Sequence, residues 1–519
     1  MKLKLLLICL PTLMMAQQMD TTAVRFAKYV TADGMKKNLT VLASDEYEGR
    51  ETGQKGQKMS AEYISKYYKD LGIPPIKTLK DGYQQTYPLE IFSPQELKIT
   101  YNKKSFIQNV DYYTWANITG DTTFTIPEID FCGYGINTLV YNDYDKVDVK
   151  NKAVMILDGE PYKADGNSII SQLTEPSMWT SNFRVKQTEA KKQGIKYLLI
   201  VDTNIATSFA EQKHRIKSSR MSISDKASLE YPFVIYISTK MADEILAHSK
   251  QTTKSIAGKI SSSSKSVYFT EKALLDINLT QAKQKLSAEN VMAYIEGTDL
   301  KSELLVLSAH YDHLGVQEGK IYNGADDDGS GTVAIMQLAK AFQEAKKQGK
   351  GPRRSMLFLN VSGEEKGLLG SEYYTEHPTF GLENTVCDLN IDMIGRLDEA
   401  HAKNANYVYL IGSDKLSSEL HKISEQANKT YTNLELDYTF NDENDPNRFY
   451  YRSDHYNFAK NNIPVIFYFN GVHEDYHQET DEVQKIDFTK MEKISRLVFF
   501  TAWQIANQTS RIKIDSSKK

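Results

Sequence analysis

From about residue 280 to the C-terminus, short apolar runs alternate with helical patterns, and this alternation constrains the fold more than any other feature. The runs Leu304–Leu307, Met356–Val361, Asn390–Ile394 and Val465–Phe469 are short, and the last three are bounded by Gly or Pro, as expected of parallel strands buried on both faces. Between them Ile335, Leu338, Ala339 and Phe342 recur at helical spacing. Strand–helix alternation predicts an α/β class chain, with a mixed, mostly parallel sheet sandwiched by helices. Each polar cluster of this half then falls at the C-terminal end of a predicted strand, where open α/β sheets place their ligands. The clusters are His310 with Asp312, Asp326 to Asp328, Glu364 with Glu365, Asp392 and, further on, His477.

Composition removes other classes. The 519 residues carry 63 Lys+Arg against 67 Asp+Glu, a formal net charge of −4, which argues against nucleic acid or an anionic membrane as the main partner. Only three cysteines occur, so neither a disulfide framework nor a thiolate zinc site is expected. Cys132 and Cys387 read as unpaired core residues. Residues 1–16 have a basic start (Lys2, Lys4), an apolar run from Leu3 to Met15 and Ala16 at the cleavage point. That is a signal peptide pattern too short to span a bilayer, and no later run approaches the ~20 apolar residues of a span. The expectation is an exported protein, periplasmic or extracellular, without stable membrane insertion.

Two imidazoles, two aspartates and a glutamate make a hard-to-borderline donor set suited to zinc or a related divalent ion. Five such ligands exceed one tetrahedral zinc and suit two ions that share a carboxylate. Of the paired glutamates, one can ligate while the other takes a proton. The tandem aspartates offer a second use, since Asp is a favoured helix N-cap and a helix begins near Ser330. Lone pairs such as His310/Asp312 are ordinarily surface hydrogen bonds; the companions raise them to candidates. His313, His377, His401 and His421 read as ordinary, and His473 and His455 as supporting.

HYDH, NGADDDGSG, SGEEKGLLGS, NIDMIG, RSDH and HQETD, in this order and spacing, resemble the successive motifs of the secreted co-catalytic zinc aminopeptidases, zinc metallopeptidase family twenty-eight. LASDEYEGRETGQKG near the start is similar to another segment of that family. The resemblance implies one zinc on His310 and Asp392, the other on Glu365 and His477, and Asp326 bridging, with Co2+ or Mn2+ able to substitute. Glu364 would be the general base and later the acid, and Asp312 would orient His310. Arg452, Ser453, Asp454 and His455 become candidates for contacting a peptide substrate. VKNKAVMILDG, FRVKQTEAKKQGIKYLLIVD and YPFVIYIS are similar to a protease-associated domain. The expected layout is therefore signal peptide 1–16, peptidase 17–92, an inserted smaller β-rich domain 93–279 and peptidase 280–519. A carboxypeptidase of the glutamate-carboxypeptidase type, with Arg396, Arg448 or Arg452 as anion binder, is the main rival. A catalytically dead receptor-like scaffold is a further one, and it would require lost ligands. Oligomeric state is not readable from the sequence.

Overall fold

The structure, a computed structural model, describes residues 19–79, 81–114, 120–224 and 232–515. The leader at 1–16 lies outside them. The chain forms two compact units: residues 1–89 with 286–519, and residues 90–285. The joins expected at 92/93 and 279/280 fall instead at 89/90 and 285/286.

The first unit is built on a sheet whose centre is four parallel strands in the order Val465–Phe469, Thr385–Ile391, Leu300–His310, Arg354–Val361. The antiparallel strand Lys283–Ile295 follows Arg354–Val361, and Tyr407–Ile411 runs antiparallel to Val465–Phe469 at the other side. All eight residues of Arg354–Val361 are buried, and alternate residues serve opposite faces. Leu305, Leu307, Met356 and Phe358 join one apolar core, whereas Leu304, Val306, Leu357 and Leu359 join another. That is the period-2 pleat of a sheet covered on both sides. Helices Thr21–Ala27, Ala32–Leu42, Lys55–Asp70, Gly331–Lys347 and Phe488–Asn507 contribute to the first core, and Leu369–Glu376 and His455–Ala459 to the second. The third apolar run differs from its reading: the strand is Thr385–Ile391, so Asp392 to Ile394 lie just beyond its end.

The second unit has its own sheet, with Thr122–Cys132, Ala153–Leu157, Tyr197–Asp202 and Phe233–Ser238 parallel and Tyr268–Thr280 antiparallel to the first of these. Val154 and Ile156 face one core, Met155 and Leu157 another. The Ser/Thr/Lys-rich stretch 249–266 contains the helix Thr253–Ser263. Thr252 and Ser255 form a reciprocal capping box, and Ile256 and Ile260 bury one face. Two buried isoleucines four apart outweigh the Ser/Thr-rich composition. Cys132 and Cys387 are free and buried, as read.

Candidate metal centre

Four neighbouring parallel strands end on one side of the first sheet, and the loops after them carry the candidate residues. His310 closes its strand, Asp392 follows Ile391 directly, Glu364 and Glu365 follow Val361 by three and four positions, and His477 lies in the loop after Phe469. Asp327 comes from the turn Ala325–Ser330 that leads into the helix Gly331–Lys347.

His310 Nε2 lies 3.3 Å from Asp327 Oδ1, 3.7 Å from Asp392 Oδ1 and 3.9 Å from Glu364 Oε2. His477 Nε2 lies 3.1 Å from Asp327 Oδ2 and 3.2 Å from Glu365 Oε2. Asp327 thus stands between the two imidazoles, one oxygen toward each. Two groups of convergent donors result, His310–Glu364–Asp392 and His313–Asp327–Glu365, with the donor atoms of each within 4.8 Å of one another. Asp327 Oδ2, Glu365 Oε1 and both ring nitrogens of His313 are buried without a hydrogen-bond partner. Buried polar atoms left unpaired are costly, and imidazole and carboxylate donors aimed at common points are what a zinc-type cation satisfies. The residues fit the metal.

Asp326, the expected bridging residue, is turned elsewhere. Its Oδ1 accepts from Gly395 N at 2.6 Å and its Oδ2 lies 3.2 Å from His473 Nε2. Asp328 takes the capping role, accepting through Oδ1 from Gly331 N at 2.8 Å and Met393 N at 3.0 Å. Non-helical backbone at Asp327 and Asp328 sends three consecutive acids in three directions, a rotation that no spacing rule reads. Asp481, within HQETD, holds this turn, accepting from Asp326 N at 3.0 Å and Asp327 N at 3.1 Å.

Asp312 supports His310 differently from expectation: its main-chain oxygen, not its carboxylate, sits 3.1 Å from His310 Nδ1. With the proton on Nδ1, Nε2 is left to face the donor group. The Asp312 carboxylate, 3.8 Å from that nitrogen, accepts instead from Thr52 Oγ1 at 2.6 Å and Glu364 N at 3.2 Å. Thr52 and its neighbour Arg50 belong to the LASDEYEGRETGQKG segment, and neither was singled out in it. The buried Arg50 guanidinium donates to the main-chain oxygens of Tyr311 (2.6 Å), Leu42 (2.9 Å), Asn323 (2.6 Å) and Gly324 (2.9 Å). It ties the His310–His313 turn to the loop that leads to Asp327.

Of the expected substrate residues only Arg452 reaches the cavity. That cavity is lined by Asp327, Glu364, Asp392 and His477 and by the apolar Met393, Phe449, Phe467, Phe469 and Val472. The Arg452 guanidinium lies over the Phe449 ring at 4.9 Å and donates to Tyr476 Oη at 3.3 Å. Tyr476 in turn stacks on His477. Ser453 is buried and donates to Asp392 Oδ2 at 2.7 Å while accepting from Asn390 Nδ2 at 2.9 Å. Asp454 and His455 are fully buried, so a substrate cannot touch them. They start the helix His455–Ala459, which packs its inner face against the sheet.

Burial pushes the Glu364 carboxyl well above the ordinary range; His310 opposes the rise, and Glu365, Asp392 and Asp454 add to it. Glu365 falls to about 2: burial and Asp327 raise it, but the His313 and His477 imidazoles outweigh them. Burial also raises Asp454 to about 7 and lowers His455 to about 3. Adjacent acids with opposite shifts commonly mark distinct chemical roles.

The strand-end donor groups and the doubly covered sheet define an α/β fold with a candidate metal centre. More narrowly, residues 290–502 match the model of peptidase family M28. A probable zinc metalloprotease of Pyrenophora tritici-repentis (strain Pt-1C-BFP) is 27% identical over 263 residues, covering 43% of this chain and 52% of that protein. A probable leucine aminopeptidase of Arthroderma otae (strain ATCC MYA-4605 / CBS 113480) is 29% identical over 231 residues, covering 43% and 59%. The chain thus spans about half the length of these curated relatives. The solved aminopeptidase from Aneurinibacillus sp. strain AM-1 shares the fold at a TM-score of 0.51 and 18% identity, over 96% of this chain and 98% of that one. Among the described residues no helix is long and apolar enough to cross a membrane.

Proposed function

We propose that the protein is a di-zinc exopeptidase that removes N-terminal residues from peptides. The reading is carried by the placement of Asp327 between the His310–Asp392 and His477–Glu365 pairs, beside a Glu364 carboxyl that borders the cavity. His310 and Asp392 would hold one ion, His477 and Glu365 the other, and Asp327 both. Bound zinc supplies Lewis acidity toward the scissile carbonyl and acidifies the attacking water. Glu364 takes the proton of that water and returns it to the leaving amine. Its carboxyl borders the cavity beside the donor groups, where a base that must become an acid has to stand. Ser453 fixes the Asp392 carboxylate, and Tyr476 fixes the His477 ring. A free α-amine suits the carboxylate side of the cavity, and an apolar first side chain suits the wall of Met393, Phe449 and Phe467.

The single cation on that wall, Arg452, favours a second reading, in which it receives a terminal carboxylate as in a carboxypeptidase. Free and N-blocked peptides, with and without a chelator, separate the two: an N-block abolishes aminopeptidase cleavage and leaves carboxypeptidase cleavage intact. Glu364→Gln tests the mechanism. Zinc content should be retained while kcat falls about 100-fold or more; activity within tenfold of wild type would sink the assignment. The pattern at 1–16 supports export. The second unit, with its parallel strands and separate cores, is read as a protease-associated domain. A dead receptor-like scaffold finds no support, because none of the expected donor types is missing.

A further inference from the structure

We infer that His313, on the His477 side of the centre, is a third imidazole ligand, giving that ion four protein donors; this rests on the di-zinc reading above. Three observations carry it. First, His313 is fully buried, both of its ring nitrogens lack a hydrogen-bond partner, and so do the Asp327 Oδ2 and Glu365 Oε1 atoms that it faces. An imidazole held only by packing would leave two polar atoms unpaired, which buried groups rarely tolerate.

Second, the spacings suit coordination. His313 Nδ1 lies 2.8 Å from Glu365 Oε1 and 3.9 Å from Asp327 Oδ2. His477 Nε2 lies 3.1 Å from the same Asp327 oxygen and 3.2 Å from Glu365 Oε2. Tetrahedral zinc, with donors at about 2.0–2.2 Å, sets donor–donor spacings of roughly 3.3–3.6 Å, and the four distances fall on both sides of that range. The 2.8 Å contact without hydrogen-bond geometry is the kind that two ligands of one cation make.

Third, the ring is held in place. His313 N donates to Arg50 O at 3.3 Å, and a Cβ on Gly324 would stand 2.4 Å from His313 Cγ. Gly324, at φ +52°, therefore lets its loop close against the imidazole. The His310 side, by contrast, has His310, Asp392 and the shared Asp327, with Glu364 kept for proton transfer. The two positions then differ in kind: the His477 side is filled by protein and the His310 side retains an open place, as catalytic zinc sites do.

Zinc K-edge absorption on the intact chain loaded with two zinc ions counts imidazoles without any substitution. Three over the two ions are expected; two would overturn the inference while leaving the di-zinc reading intact. His313→Cys loaded with Co2+ gives a second, independent readout, because sulfur at this position has a reach similar to Nδ1. A thiolate-to-cobalt charge-transfer band in the near ultraviolet, absent from the cobalt-loaded parent, is expected. A variant that binds two cobalt ions without the band would overturn the assignment. Failure of the parent chain to take up any metal would remove the proposed function as well.

Discussion

Arg50→Met tests whether a residue far from the metal ligands in sequence governs the centre. The guanidinium makes four hydrogen bonds to main-chain oxygens. Charged donors contribute about 1.5–3 kcal/mol each, so the gross loss is roughly 6–12 kcal/mol. Against this stands the desolvation of a buried cation, several kcal/mol, which the variant no longer suffers. Burial lowers the Arg50 pKa, and Asp312, Asp481, Asp327 and Asp328 counteract it; those acids lose their compensating charge. Removal of one partner from such a buried cluster costs about 3–5 kcal/mol, and that is the expected net effect. Hydrogen exchange read on peptides from Leu300–His310 reports the opening free energy of this unit directly. Arg50→Lys should recover part of the loss through charge alone, since a lysine cannot reproduce the fork. A destabilisation below about 1 kcal/mol for Arg50→Met, or a lysine variant equal to wild type, would refute the reasoning.

Other expectations are narrower. Asp327→Asn should strip the bound metal, whereas Asp326→Asn should keep it and lose activity by less than tenfold; metal analysis of both variants decides, and the reverse order would reject the bridging assignment. Ser453→Ala should weaken metal affinity about 10–100-fold through the loosened Asp392, measured by competition with a chromophoric chelator; unchanged affinity counts against it. His455, held near a pKa of about 3 by burial, against about 6.5 unfolded, contributes its full stability above pH 6.5. As pH falls toward 3 the unfolded chain takes up a proton that the folded one refuses, and stability is lost, by about 3 kcal/mol at pH 4. His455→Phe should flatten that part of the pH–stability curve, and parallel curves for the two proteins would exclude the effect.

Much of this protein was legible from local patterns. Apolar runs of strand length with helices between them determine a doubly covered parallel sheet, because each strand must bury both faces. The chemistry follows, since the ends of such strands are where side chains converge: His310, Glu364, Glu365, Asp392 and His477 were all identifiable there. Asp326 and Asp327 were not separable, because the direction of a side chain in an irregular turn depends on backbone angles set by Asp481 and Gly395. The helix Thr253–Ser263 was hidden by its polar composition, although Thr252 and Ser255 carried a capping signal. Ser453, Asp454 and His455 sit in a motif beside the site, yet only packing shows that they face inward. Arg50 and Thr52 lie some 260 residues from the Tyr311 and Asp312 groups they hold. The sequence by itself determined which donors exist and which strand ends present them, since both follow from residue type and period. Tertiary structure alone decided which oxygen meets which imidazole, because that depends on long-range contacts and loop rotation at the scale of a single hydrogen bond.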